Sequence, residues 1–165
     1  MKEELPPENN PYKDITFYSG IGKCNATFKI TELIHQYQPE IIVNYGTVGS
    51  CHTHLSGLIE CGIFLDRDDV TQLDQSNHDI IINPNLYSVS TGDNFVTQAL
   101  HGCDVVDMES YCLAKVCKKY NIKFKSYKYI TDYVNETSLY DWKTNISKGY
   151  PLFLEKINAY IKNAI

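Results

Sequence analysis

Arginine is almost absent from this 165-residue sequence: Arg67 is the single example, and the formal net charge is −5. A protein that binds nucleic acid without sequence preference needs a basic face, so we expect no nucleic-acid partner. The sequence has no run of about 18 apolar residues, which argues against a membrane span, and its first residues form no apolar signal core. We therefore predict a cytoplasmic protein with no membrane partner.

The six cysteines do not form the pattern of a cysteine scaffold. They show no CxxC spacing and are too sparse for a disulfide-rich fold, so we predict reduced thiols, several of them in the core. His52 and His54 would share one face of a strand, but the sequence offers no obvious third ligand. We therefore predict no metal and no cofactor.

Strand and helix patterns alternate along the chain. Apolar residues recur with helical spacing over 26–37, stop before Pro39, and lead into a β-branched run at 41–45 that is typical of a buried strand. The same reasoning predicts strands over 15–18, 58–65, 86–90 and 124–130, and helices over 113–120 and 150–164.

This alternation predicts a single α/β domain over 1–165, with a twisted, mainly parallel (mixed) sheet flanked by helices on both sides. Residues 1–14 are polar and contain prolines, so we expect them to be loosely held. Residues 46–50 are expected to form a glycine turn after the second strand. Residues 133–146 are expected to form a loop.

Two carboxylates follow β-runs that are separated by one helical pattern. Glu109 ends the segment Val106-Asp107-Met108-Glu109, and Asp132 ends Tyr129-Ile130-Thr131-Asp132. Ligands of α/β sheets bind at the carboxyl ends of the strands. Two acids at that position can hold a polyol with one carboxylate and transfer a proton with the other.

Four segments in this order resemble the nucleoside phosphorylase/nucleosidase superfamily, most closely the 5'-methylthioadenosine/S-adenosylhomocysteine nucleosidases. They are Ser19-Gly20-Ile21-Gly22-Lys23, Val43-Asn44-Tyr45-Gly46-Thr47-Val48-Gly49, Ser90-Thr91-Gly92-Asp93-Asn94-Phe95-Val96, and the pair of acidic segments with Asp132 at its end. Asp69-Val70-Thr71 is a weaker fifth match. The resemblance implies a nucleoside phosphorylase-like fold and a purine nucleoside as substrate.

By this resemblance, Glu109 would accept hydrogen bonds from the ribose hydroxyls and Met108 would pack against the sugar. An ionised carboxylate can accept from both hydroxyls at once. Asp132 would protonate the purine N7, for which it needs a raised pKa. Phe95 would stack on the base, and Val96 would offer backbone groups to its edge.

The resemblance also implies the remaining contacts. Thr47 would place a hydroxyl near the sugar, while Val70 and Trp142 would line the pocket for the 5' substituent. Glu4 would position the attacking water, although the first strand that precedes such a glutamate in the family has no counterpart in this sequence. A glutamate at this position is expected to be weakly anchored. The resemblance further implies a homodimer.

The residues alone leave other readings open. Glu109 would also suit a helix N-terminus, Asp132 a turn, and Phe95 the core. A phosphorylase that binds phosphate through Lys23 or loop amides is one alternative, but Asn44 occupies a position where the phosphorylases carry an arginine. The other alternative is a degenerate member that binds a nucleoside without cleaving it. We predict hydrolysis of adenine-type nucleosides.

Overall fold

The computed structural model describes residues 1–68 and 79–164. Within these ranges two 3-10 turns precede an α/β arrangement, at Pro7–Asn9 and Lys13–Ile15. The strands are β1 (Ile41–Ser50), β2 (Leu58–Asp66), β3 (Ile80–Ile81), β4 (Tyr87–Thr91), β5 (Val105–Asp107) and β6 (Lys123–Tyr133). The helices are α1 (Lys23–Tyr37), α2 (Ser110–Lys119), α3 (Ser138–Asn145) and α4 (Tyr150–Ala164).

The sheet is mixed, and it closes on itself. The strand order is β3-β2-β4-β5-β1-β6, and β2 also pairs with β6. The pairs β1–β6, β2–β4 and β4–β5 are parallel, whereas β1–β5, β2–β3 and β2–β6 are antiparallel. The α/β class and the mixed sheet are therefore confirmed, and most of the register pairs are parallel, but closure of the sheet was not predicted. Closure is possible because β2 is long enough to pair with β6 over its first half and with β4 over its second.

Helices cover two faces of this sheet. Helices α1 and α2 pack on one face through Ala26, Ile30 and Ala114, in a cluster that also contains Phe64 and Phe124. Helix α4 packs on the other face, where Phe153 and Ile157 contact Tyr127 and Val43. Ile42 belongs to the first cluster and Val43 to the second, as the alternation of side chains along a strand requires.

Several local expectations fail. Residues 15–18 are not a strand, because Ile15 closes a 3-10 turn with its side chain 71% exposed, and no strand of the described residues pairs with this segment. Residues 46–50 continue β1 as far as Ser50, with a bulge between Val48 and Gly49, since β6 is long enough to pair with them. Residues 138–145, expected in a loop, form α3.

The N-terminal segment was expected to be loosely held, yet it contains buried residues. Glu4, Leu5 and Asn10 are all at least nine-tenths buried. Leu5 packs into the cluster beneath α4, and its carbonyl accepts a hydrogen bond from the Tyr18 hydroxyl at 2.7 Å. Because Leu5 is fixed, Glu4 is placed beside Thr47 of β1.

No helix in the described ranges has the length and apolar character needed to cross a bilayer.

Candidate active site

A cavity of about 270 Å³ opens where β1, β5 and β6 end. Its lining includes eight of the nine residues predicted for the site, namely Glu4, Thr47, Phe95, Val96, Met108, Glu109, Asp132 and Trp142. The ninth, Val70, lies outside the described residues. Segments more than 100 residues apart in sequence therefore meet in one pocket. Their individual functions remain predictions.

Asp132 lies at the end of β6 in a buried position. A bulge in β6 leaves Thr131 without a partner in the register, so that Gly49 of β1 pairs with Asp132. A Cβ atom on residue 49 would lie 2.9 Å from Asp132 Oδ2, so only glycine leaves room for the carboxyl group. The Thr131 hydroxyl donates to Asp132 Oδ1 at 2.8 Å. Burial raises the pKa of Asp132 above its ordinary value.

Glu109 lies at the N-terminus of α2, directly after β5. Its Oε1 accepts a hydrogen bond from the backbone N–H of Gly22 at 2.7 Å, which ties it to the glycine turn before α1. Gly22 has φ +91°, a left-handed conformation that glycine adopts without strain. Burial, and next the neighbouring Asp107 carboxylate, raise the pKa of Glu109 to about 7.

Glu4 is held by three groups although it is near the N-terminus. Its Oε1 accepts hydrogen bonds from the Thr47 backbone N–H at 2.8 Å and from the Thr47 hydroxyl at 2.7 Å. The Trp142 indole N–H donates in turn to the Thr47 hydroxyl at 3.0 Å. The terminal ammonium group of Met1 pairs with Oε2. The expectation that Glu4 is weakly anchored is therefore wrong, and Thr47 contacts Glu4 through both of its polar groups.

Lys128 and Asp107 form a buried ion pair in the cavity floor, which the sequence reasoning missed. Lys128 Nζ lies 2.9 Å from Asp107 Oδ2, with the two side chains 2% and 1% exposed. Burial alone would raise the pKa of Asp107, but the Lys128 ammonium and hydrogen bonds from Ser110 and Thr91 hold it below its ordinary value. The sequence did contain a signal for this pair. Lys128 falls on the same face of β6 as Phe124, Ser126 and Ile130, all of which are buried, and a lysine on a buried face needs a partner of opposite charge.

Arg67 also lines the cavity, where the two terminal nitrogens of its guanidinium donate to backbone carbonyls. It donates to the carbonyl oxygens of Ser90, Asp107 at 2.9 Å, Gly92 at 3.0 Å and Asn94 at 2.6 Å. These bonds hold the end of β4 and the start of the Phe95 loop against β5. Five donors on one rigid plane make arginine suited to such a position.

Lys23 is paired as well. Its ammonium group lies 3.0 Å from Asp66 and 2.9 Å from Asp68. Burial would lower the pKa of Lys23, but these two carboxylates raise it above the ordinary value. Asn44 donates to the hydroxyls of Ser110 and Ser126, each at 3.2 Å.

The described residues contain no group of three or more potential ligands arranged to hold a metal ion. The cavity brings together three acids in different surroundings. It contains a buried carboxyl with a raised pKa, a second carboxyl that titrates near neutrality and a third held by a threonine.

The chain is similar in sequence and in fold to 5'-methylthioadenosine/S-adenosylhomocysteine nucleosidases of the nucleoside phosphorylase/nucleosidase superfamily. Its sequence is 25% identical over 183 residues to the 5'-methylthioadenosine/S-adenosylhomocysteine nucleosidase of Staphylococcus aureus, covering 87% of this chain and 78% of the relative. No family model matches the sequence.

Solved structures show the same fold. A nucleosidase of that kind from Helicobacter pylori, a mutant with 5'-methylthioadenosine in its active site, superposes with a TM-score of 0.75 at 17% identity, covering 88% of this chain and 78% of that one. A putative nucleosidase of the same kind from Francisella philomiragia has a TM-score of 0.78 at 15% identity and covers 96% of this chain and 95% of its own.

Proposed function

We propose that this protein hydrolyses the N-glycosidic bond of purine nucleosides, with adenine nucleosides such as methylthioadenosine, S-adenosylhomocysteine or adenosine as the first candidates. The observation that carries the proposal is the convergence of Asp132, Glu109 and Glu4 on one cavity. The three acids have different surroundings. Differences of that kind assign different tasks to carboxyl groups in one site.

In the proposed reaction Asp132 protonates the purine N7 while the glycosidic bond breaks. A purine anion is a poor leaving group, so neutralising it lowers the barrier. Burial favours the protonated form of Asp132 that this step requires. Phe95 would stack on the base, and Val96 would contact its edge.

Glu109 would hold the ribose through its 2'- and 3'-hydroxyls, with Met108 against the sugar. Glu4 would orient the attacking water on the other side of the reacting carbon. Its two hydrogen bonds from Thr47 fix the direction of its carboxylate. Trp142 would orient the Thr47 hydroxyl through its indole N–H and would also line the pocket for the 5' substituent. Val70 is proposed to line the same pocket.

Water is favoured over phosphate as the nucleophile because the cations around the cavity are already paired. Among the described residues that line or flank it, Lys23 binds Asp66 and Asp68, Lys128 binds Asp107, and Arg67 donates to backbone carbonyls. Glu4, Asp107, Glu109 and Asp132 make the lining acidic. A phosphate dianion would enter against that charge and without a free partner.

Affinity for nucleoside is expected to fall as the pH is lowered through about 7. The pKa of Glu109 is raised to about 7, so the carboxylate that accepts from the ribose hydroxyls is lost below that pH. KM measured between pH 5.5 and 8.5 should therefore rise on the acid side, by about tenfold per pH unit below the pKa if only the ionised form binds. Glu109→Gln, which cannot titrate, should have a weak affinity that does not change over this range. A wild-type KM that is flat across the range would contradict the assignment of Glu109.

The test of the function is base release from methylthioadenosine, S-adenosylhomocysteine, adenosine and inosine, with and without inorganic phosphate, followed by chromatography. We expect free adenine without phosphate and no increase when phosphate is added. Release that depends strictly on phosphate would replace the proposal with phosphorolysis. Nucleoside binding without release, unchanged by Asp132→Asn, would establish a degenerate binder instead.

We also propose that the protein is a cytoplasmic homodimer. Ile21 and Leu139 lie at the cavity and are 48% and 50% exposed, and Tyr140 beside them is 73% exposed. A second copy that covers these apolar side chains would also close the 5' side of the pocket. Sedimentation of the wild-type protein and of Leu139→Asp would test this, since the variant should shift toward the monomer.

A further inference from the structure

Two cysteines meet at the end of the sheet behind the active-site cavity. Cys51 directly follows β1, and Cys103 lies two residues before β5. Their Sγ atoms are 3.9 Å apart, and both are free thiols. Since a disulfide bond is about 2.05 Å long, the two sulfurs need to approach by only about 2 Å to form one.

The backbone brings the two residues together at the adjoining ends of two neighbouring strands. β1 and β5 are antiparallel neighbours, with Ser50 opposite Val105. The Cys51 N–H extends this ladder by donating to the Asp104 carbonyl at 2.9 Å. The same register places Cys51 opposite Asp104, the neighbour of Cys103, so the two cysteines lie at diagonal positions across the two chain segments.

The two thiols are chemically different, as a nucleophile and a resolving thiol are. Cys51 is partly exposed, while Cys103 is 6% exposed. The hydrogen bond from Cys103, assisted by the Leu100 backbone N–H, holds the pKa of Cys51 below its ordinary value. The same hydrogen bond raises the pKa of Cys103. Cys51 is therefore the thiolate that an incoming oxidant meets.

We propose that Cys51 and Cys103 are a redox modification site that forms a reversible disulfide by exchange with low-molecular-weight disulfides. The Cys51 thiolate attacks one sulfur of glutathione disulfide, which forms a mixed disulfide and releases one glutathione thiolate. Cys103 then loses its proton to that thiolate or to water and attacks Cys51 Sγ, which releases a second glutathione. The two protein thiols lose two electrons in total, and the glutathione disulfide gains them.

The pair is coupled to the nucleoside cavity through one apolar cluster. Cys103 is buried in this cluster together with Val106, and Cys51, Val96 and Leu100 pack against it. Val96 and Val106 also line the cavity. We therefore expect a contraction of about 2 Å between the sulfurs to displace side chains that touch the site. The effect on turnover rests on the proposed function, whereas formation of the disulfide does not.

The experiment equilibrates the folded, full-length protein with glutathione/glutathione disulfide mixtures, blocks the remaining thiols with an alkylating agent, and maps the peptides by mass spectrometry. We expect a peptide pair linked through Cys51 and Cys103, lost on reduction. Cys24 is an internal control, because this exposed thiol should become glutathionylated whenever the oxidant is active. Cys103→Ser should trap the mixed disulfide on Cys51, and Cys24→Ser should still form the link.

Glutathione on Cys24 together with unlinked Cys51 and Cys103 would overturn the proposal. The coupling to the cavity is tested separately by turnover of the oxidised protein. We expect kcat/KM to fall by about tenfold and to recover with reductant, because displacements near 1 Å in a site can cost up to about 100-fold. A linked protein with unchanged kcat/KM would refute the coupling, and a reduced protein without turnover would instead refute the proposed hydrolase.

Discussion

Replacing Asp132 with asparagine is expected to lower kcat for nucleoside hydrolysis by about 10²–10⁴-fold, the usual contribution of a positioned general acid. Asparagine has nearly the shape of aspartic acid, so the space beside Gly49 and the hydrogen bond with Thr131 can both be kept. It cannot deliver a proton to N7. The loss should therefore appear in kcat, while methylthioadenosine still binds, as measured by calorimetry.

The matched control for this variant is Asp14→Asn, which removes an exposed carboxylate outside the cavity. Its kcat should equal that of the wild type. The wild-type kcat should also fall at high pH. Asp132 acts in its protonated form, and this form is lost as the pH rises above the raised pKa of Asp132. Full activity of Asp132→Asn would remove Asp132 from the mechanism.

Replacing Lys128 with methionine is expected to lower the free energy of unfolding by about 3–5 kcal/mol, the usual cost of breaking a buried ion pair. The change leaves the Asp107 carboxylate buried without its cation, although Ser110 and Thr91 still donate to it. Urea denaturation at neutral pH, followed by circular dichroism, gives the difference. The double variant Lys128→Met/Asp107→Asn should recover part of the loss, because no unpaired charge remains.

Lys125→Met provides the control for a lysine on the same strand. Lys125 pairs with Glu60 at 3.0 Å, but the two side chains are 32% and 23% exposed, so solvent screens the pair and the loss should stay below about 1 kcal/mol. If the two variants lost the same free energy of unfolding, the burial of the Lys128–Asp107 pair would not explain the effect at Lys128.

The pH dependence of stability has a definite sign. In the wild type the pKa of Asp107 is held below its ordinary value, so its contribution to stability is present above the unfolded-state pKa, about 3.9, and is lost as the pH falls through the folded-state pKa. In the Lys128→Met variant the ammonium group no longer lowers the pKa of Asp107, so burial raises it. The variant's carboxyl then takes up a proton at higher pH, so its deficit relative to the wild type should narrow on acidification.

Local pattern was sufficient to predict several elements. Apolar spacing over 26–37 and 150–164 corresponds to α1 and α4, and the β-branched run at 41–45 begins β1. The resemblance to the superfamily, carried by ordered glycine segments and two acids, is confirmed by the relatives and by the fold. These features were accessible because helix and strand periodicity and short motifs are properties of neighbouring residues.

Other features needed the tertiary structure. Closure of the sheet depends on β2 pairing with two strands at once, and the extension of β1 through its glycines depends on β6 lying beside it. The hold of Thr47 on Glu4 joins residues 43 positions apart, and the Asp107–Lys128 pair joins two different strands. Sequence alone predicted Glu4, Glu109 and Asp132 as acids of the site and a purine nucleoside as its ligand, and the structure brings these three acids to one cavity. Only the packing of distant segments decided how burial and pairing set the charge state of each acid, because burial and pairing are not local properties of the chain.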